Sequence, residues 1–280
     1  MRLVRYETEG RAGIGAVRAE DGPVYPTPWA SFEELFAEPD PLTAATALRF
    51  DGQHPVQPER LLPPVVYRAQ VIGTGGNYAD HATEVSATIQ VSEPVFLPFL
   101  WGAVIGPDDA IVIPTPDTQT DYEVEFAVVI GRTARGLTEA NAMDYVFGYT
   151  IVNDVTAREV MARERYQVML SKSVDTFVPV GPHVVTRDEI ADPHSLGIAS
   201  YLNGEVRQKS NTGAVTERIE GLLSRLTRTV TLHPGDIVTT GTPGGVGYSR
   251  RPQEFMRPGD AITVEVEGVG RMTNPVTQGW

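Results

Sequence analysis

The sequence predicts an α+β chain in which strands predominate, preceded by a small N-terminal domain. Short apolar segments recur between Gly and Pro turns, and long 3.6-residue periods are few. Leu61-Leu-Pro-Pro-Val65 interrupts the chain as a Pro-rich connection. A doubly wound parallel sheet would alternate each strand with a helical period of roughly 10–15 residues, and this sequence does not.

Residues 1–65 make up the first predicted domain. Arg2-Leu-Val-Arg-Tyr6 and Ile14-Gly-Ala-Val17 read as two strands joined by a Gly-rich turn. Ser31 precedes Phe32-Glu-Glu-Leu-Phe36, a hydroxyl N-cap with acids in the first turn, which predicts a short helix. Residues 66–280 make up the second, larger domain. Strands are expected at 69–73, 110–113, 124–130, 145–152, 183–186, 197–202, 236–239 and 261–266, and helices at 138–145, 155–165 and 214–226.

The 280 residues are 41% apolar, enough for one large core or two modest ones. There is no cysteine, which excludes disulfides, thiolate metal sites and a cysteine nucleophile. A formal charge of −13 disfavours binding to nucleic-acid phosphates or anionic lipid. Met1-Arg-Leu-Val-Arg-Tyr6 leads into polar, Gly-rich sequence rather than the apolar run of a signal peptide. No apolar run approaches the roughly 20 residues of a membrane span. The expected setting is cytoplasmic, with neither nucleic acid nor membrane as a partner.

Chemistry concentrates first in Asp121-Tyr122-Glu123-Val124-Glu125-Phe126, followed by Asn153-Asp154. On a strand, Asp121, Glu123 and Glu125 share one face, while Tyr122, Val124 and Phe126 share the other. The apolar run 126–130 carries this strand inward. Three carboxylates at the mouth of a buried strand suggest a divalent cation held by oxygen, with a solvated edge strand as the alternative. Asp154, ahead of a predicted helix, fits either an N-cap or a ligand.

Gly73-Thr-Gly-Gly-Asn-Tyr-Ala-Asp-His81 is a loop that lets backbone approach a ligand closely, but it lacks the dinucleotide-binding G-x-G-x-x-G pattern. His81 and Glu84 stand three apart, so one helical turn would pair imidazole with carboxylate, either as a general base or as a surface ion pair. Arg158 could hold an anionic substrate or a neighbouring acid. Lys172, within Leu170-Ser-Lys-Ser-Val-Asp175, could stabilise an oxyanion or enolate, or stand exposed. Thr239-Thr-Gly-Thr-Pro-Gly-Gly-Val-Gly247 offers amides and hydroxyls to a carboxylate, or is a tight turn.

In order along the chain, Asn77-Tyr-Ala-Asp-His81, Asp121-Tyr-Glu-Val-Glu125, Gly148-Tyr-Thr-Ile-Val-Asn-Asp154 and Thr156-Ala-Arg158 resemble the fumarylacetoacetate hydrolase superfamily. The resemblance continues through Ser171-Lys-Ser173, Pro179-Val-Gly-Pro182, Asn203-Gly-Glu205, Pro234-Gly-Asp236, Thr240-Gly-Thr-Pro243 and Gly245-Val-Gly247, spanning residues 66–276. It implies a mixed β-roll catalytic domain, a homodimer, and Mg²⁺ or Mn²⁺ held by Glu123, Glu125 and Asp154. His81 with Glu84 would form a water-activating dyad on a mobile lid, and Lys172 would stabilise negative charge. Arg158, Thr242, Gly241 and Tyr78 would contact substrate, and Asp121 would stand behind the ligands.

Thr74 occupies the place where fumarylacetoacetate-cleaving members carry a further Asp. The chain therefore resembles the shorter, three-carboxylate branch of acylpyruvate hydrolases, oxaloacetate decarboxylases and homoprotocatechuate-pathway isomerases. It also departs from the family at Gly76, at Met161, and in having no lysine near Phe96–Phe99. The implied reaction is hydrolytic C–C cleavage of a β-diketo or acylpyruvate-type acid. The alternatives are decarboxylation or tautomerisation of a 2-keto dicarboxylic acid, or ligand binding without catalysis.

Overall fold

Val124–Ile130 is buried along its whole length and divides its side chains between two cores. Val124, Phe126, Val128 and Ile130 enter one, and Ala127 and Val129 enter the other. Such a strand has an apolar environment on both faces, which is why its sequence reads as a continuous apolar run. The computed structural model describes residues 1–20, 22–81, 93–165 and 167–279.

Val124–Ile130 lies within an eleven-stranded sheet. The path through that sheet runs Tyr25–Pro26, Arg11–Val17, Arg2–Thr8, Val178–Thr186, Val146–Asn153, Val124–Ile130, Ile237–Thr239, Val71–Gly75 and Val95–Phe99. Arg60–Leu62 and Val104–Ile105 pair off this path. A five-stranded sheet, ordered Glu205–Asn211, Gly197–Leu202, Ala261–Val266, Gly270–Gln278 and Ile111–Ile113, packs over one face. Ile198, Leu202, Ile262, Val264, Met272 and Val276 meet Phe126 and Val128 in the core between the sheets. On the opposite face, the N-terminal residues Leu3, Ile14, Trp29, Phe32 and Leu35 share a core with Ala127, Val129 and Val152. The N-terminal segment thus joins the central sheet through the antiparallel pairing of Arg2–Thr8 with Val178–Thr186.

The fold is α+β, with strands predominant. Among the described residues its helices are short: Phe32–Phe36, Pro41–Thr46, Arg158–Arg163, Val168–Lys172 and Ile219–Leu226. Ser31 caps the first as expected, its hydroxyl accepting from the Glu34 amide. The helix expected at 138–145 is only a 3₁₀ turn, Ala142–Tyr145. The one expected at 155–165 starts later, because Thr156–Ala157 is pulled into a two-stranded ladder with Thr120–Asp121. The strand expected at 183–186 extends back to Val178 despite Pro179 and Pro182. The ladder beside it shifts register between Tyr149 and Ile151, the kind of irregularity at which a sheet tolerates proline. Among the described residues, no helix is long and apolar enough to cross a membrane.

Candidate metal centre

The antiparallel ladder between Val124–Ile130 and Val146–Asn153 pairs Val124 with Asn153 and Glu125 with Val152. The Asp154 amide donates to the Glu123 carbonyl at 2.9 Å, and the Glu123 amide donates to Asn153 Oδ1 at 3.1 Å. Glu123, Glu125 and Asp154 are thereby brought together at one end of two neighbouring strands. One carboxylate oxygen from each lies within 4.8 Å of the others. Strand alternation places the acids as the sequence predicts, since Tyr122, Val124 and Phe126 all enter the opposite core.

Two cations share this buried cluster. Lys172, at the end of Val168–Lys172, places Nζ 2.9 Å from Glu123 Oε2, 2.5 Å from Asp154 Oδ2 and 3.0 Å from Thr156 Oγ1. Arg158 Nη2 lies 2.5 Å from Glu123 Oε1, and Arg158 Nε donates to Asp121 Oδ2 at 2.8 Å. Burial alone would raise the Glu123 pKa, but the charges of Lys172, Arg158 and His81 outweigh it and hold the carboxyl at about 2. Burial and then the Asp154 charge push Glu125 upward, and burial with the Glu123 charge raises Asp154 to about 7 against the pull of Lys172.

The donor set suits a hard divalent ion. Four buried carboxylates, Asp121, Glu123, Glu125 and Asp154, face the two buried cations Arg158 and Lys172. Fully ionised, the set is left with two uncompensated negative charges, the amount one divalent cation balances. Glu125 Oε2 and Asp154 Oδ1 have no hydrogen-bond partner among the described residues. A buried oxygen without a donor is unfavourable, and a coordinated ion removes that deficit.

Of the other predicted site residues, His81, Tyr78 and Thr242 interact with this centre or with the strand that carries it. Asp154 does not cap the following helix, whose N-cap is Ala157 without a side-chain bond, so its carboxylate is free to face the cluster. His81 is buried, and its charge is among the influences that lower Glu123. Glu84 and most of the expected lid lie outside the described residues. Tyr78 is fully buried, its phenol pKa raised by burial and then by the Glu125 charge. Gly241 adopts φ +89°, and a Cβ there would lie 3.1 Å from the Thr74 carbonyl oxygen. Only glycine suits this close approach between the two Gly-rich loops. The Thr242 hydroxyl donates to the Val124 carbonyl at 2.9 Å and accepts from Gln208 Nε2 at 2.7 Å. Thr74 bonds to Thr239 through both its amide and its hydroxyl, so it is engaged within the scaffold.

Several supporting residues escaped sequence reasoning. Asn77 ties the first loop to two others, donating to the Thr240 and Glu217 carbonyls and accepting from the Glu217 amide. Gln208 is fully buried and bonds to Val124, Ser200, Thr242 and Pro243. Asn77 lay within a recognisable motif. Gln208 sits in the polar run Glu205–Asn211 and carried no local signal.

The chain is similar to several known proteins. The bovine (Bos taurus) protein named mitochondrial oxaloacetate tautomerase FAHD2A is 37% identical over 288 residues, covering 99% of this chain and 91% of that protein. A solved fumarylacetoacetate hydrolase from Exiguobacterium antarcticum superposes with a TM-score of 0.85 at 36% identity, covering 99% of each chain. A 5-carboxymethyl-2-hydroxymuconate delta-isomerase from Mycobacterium smegmatis gives a TM-score of 0.79 at 32% identity, covering 100% of both chains. The family model described as fumarylacetoacetate (FAA) hydrolase C-terminal matches residues 70–277, a span that contains every residue of the carboxylate centre, and the chain belongs to that enzyme family.

Proposed function

We propose that this chain is an Mg²⁺- or Mn²⁺-dependent tautomerase or isomerase of a small 2-keto dicarboxylic acid, with oxaloacetate as the first candidate. The observation that carries the reading is the buried carboxylate triad with Lys172 inside it. The names of the similar oxaloacetate tautomerase and delta-isomerase favour proton transfer over bond hydrolysis. When bound, the divalent ion supplies Lewis-acid polarisation of the keto oxygen. Lys172 keeps a fixed positive charge where negative charge develops on an enolate oxygen. His81, at the margin of the cluster, takes the proton from the carbon beside the keto group and returns it to oxygen or to the neighbouring carbon. This moves a proton without consuming water, so atoms balance within the substrate.

Hydrolytic C–C cleavage is the second reading, favoured by the similarity to the E. antarcticum hydrolase. It needs His81 to activate a water against a carbonyl. A non-catalytic scaffold would have no use for Lys172 buried among three carboxylates, an arrangement expensive to fold. Leu100, Met169 and Leu170 are exposed, and the Leu100 amide bonds to Ser173 beside the helix that carries Met169 and Leu170, which supports a homodimer formed on this surface.

Stopped-flow ultraviolet spectroscopy of oxaloacetate tests the proposal. The expected result is metal-dependent acceleration of the enol–keto exchange, without stoichiometric CO₂ or cleavage products. His81→Ala should slow it by roughly 10²-fold while leaving Mn²⁺ affinity unchanged. No effect on the exchange, together with cleavage of acylpyruvates, would transfer the function to the hydrolase reading.

A further inference from the structure

We infer that Asp121 is a positioning residue that holds Arg158, so that Arg158 in turn fixes Glu123 toward the ion. This rests on the metal reading above. Asp121 is fully buried, and both its oxygens are saturated. Oδ1 accepts from the amides of Tyr122 at 2.9 Å and Gly247 at 2.7 Å. Oδ2 accepts from the Tyr248 amide at 3.0 Å and from Arg158 Nε at 2.8 Å. Arg158 Nη2 is also 2.8 Å from Asp121 Oδ2, and it reaches Glu123 Oε1 at 2.5 Å.

A planar guanidinium held along one edge cannot swing, and it presents its remaining donor in a fixed direction. Glu123 is therefore gripped on one oxygen by Arg158 and on the other by Lys172, which sets the plane of its carboxylate. The backbone reinforces this. Asp121 pairs with Thr156 in the short ladder, and the Arg158 amide donates to the Gln119 carbonyl at 3.2 Å. Arg158 is shared between the Asp121 and Glu123 carboxylates, so without the Asp121 side chain it would draw on Glu123 alone and compete with the ion for it. Asp121 thus acts on the ion through Arg158, and it also links the centre to the Gly245–Tyr248 loop.

Calorimetric titration with Mn²⁺ tests this in four proteins: the parent, Asp121→Asn, Arg158→Gln and the double variant, each checked for folding by circular dichroism. Asp121→Asn should weaken Mn²⁺ binding by roughly tenfold or more, the usual effect of removing a partner of a ligand. In the Arg158→Gln background the same change should alter affinity by less than about twofold, because the residue it acts through is gone. If Asp121→Asn does not fold, Asp121→Ser removes the same charge, keeps an acceptor for the loop amides and is judged identically. A lower Tm with parental Mn²⁺ affinity would reduce Asp121 to a structural role and overturn the inference. So would equal effects in both Arg158 backgrounds. A parent that binds no Mn²⁺ overturns the metal reading itself, whereas a parent that binds beside an unaffected Asp121→Asn overturns this inference alone.

Discussion

Because the Lys172 ammonium lies 2.9 Å from Glu123 and 2.5 Å from Asp154, its removal leaves buried Asp154 without its nearest cation and Glu123 with Arg158 alone. Breaking a buried pair on one side destabilises by about 3–5 kcal/mol. Lys172→Met should therefore lower the Tm of the ion-free protein, and saturating Mn²⁺ should recover much of the loss by replacing the missing charge. Turnover should still fall by roughly 10²-fold, because the ion does not stand where the ammonium does. Thermal unfolding with and without Mn²⁺ checks the charge argument, and equal losses in both conditions would contradict it. Glu123, Glu125 and Asp154 were legible in the sequence because strand alternation puts acids on one face and a resembling motif supplies the third. The engagement of Arg158 with Asp121, and of Thr242 with Val124 and Gln208, was not legible. Both depend on distant segments meeting, which local spacing does not encode.

Among the elements, Val124–Ile130 was the easiest to read and Glu205–Asn211 the hardest. The latter has one fully buried side chain, Gln208, in a polar run, so its sequence shows no apolar alternation. Its best signal was the turn before it. Asn203 and Gly204 have φ values of 54° and 82°, the left-handed pair that an Asn-Gly hairpin supplies. Gly245-Val-Gly247 was visible as a motif, but its reason is steric. A Cβ on Gly247 would collide with the Glu254 carbonyl oxygen and lie 2.7 Å from Asp121 Oδ1. Gly247→Ala must push this loop away from Asp121, with an expected loss of about 1–3 kcal/mol in urea unfolding. A variant as stable as the parent would show that the loop yields freely and that its seat on Asp121 matters little.

Across the whole molecule, residues 1–65, expected as a separate N-terminal domain, share both a sheet and a core with the residues that follow. Pairing between residues as distant in sequence as Leu3 and Val184 leaves no trace in local composition. His183, beside that pairing, is buried and bonds through Nε2 to the Val269 carbonyl, which can only accept, so Nε2 carries a proton. Burial lowers its pKa from 6.5 to about 4. In the window between those values the unfolded chain binds a proton that the folded chain refuses. His183 therefore removes stability as pH falls, by up to about 3 kcal/mol near pH 4, and has no such effect above pH 7. Urea unfolding at pH 7 and pH 4.5 should show a smaller drop for His183→Asn than for the parent, and parallel drops would contradict the assignment. We propose that Glu123, Glu125 and Asp154 together hold the divalent ion on which the reaction depends. Anomalous diffraction from crystals grown with Mn²⁺ tests it most directly. A single strong peak is expected roughly 2.1–2.3 Å from an oxygen of each of the three carboxylates, and a crystal with no peak there, from protein that still turns over its substrate in chelator, would contradict this assignment.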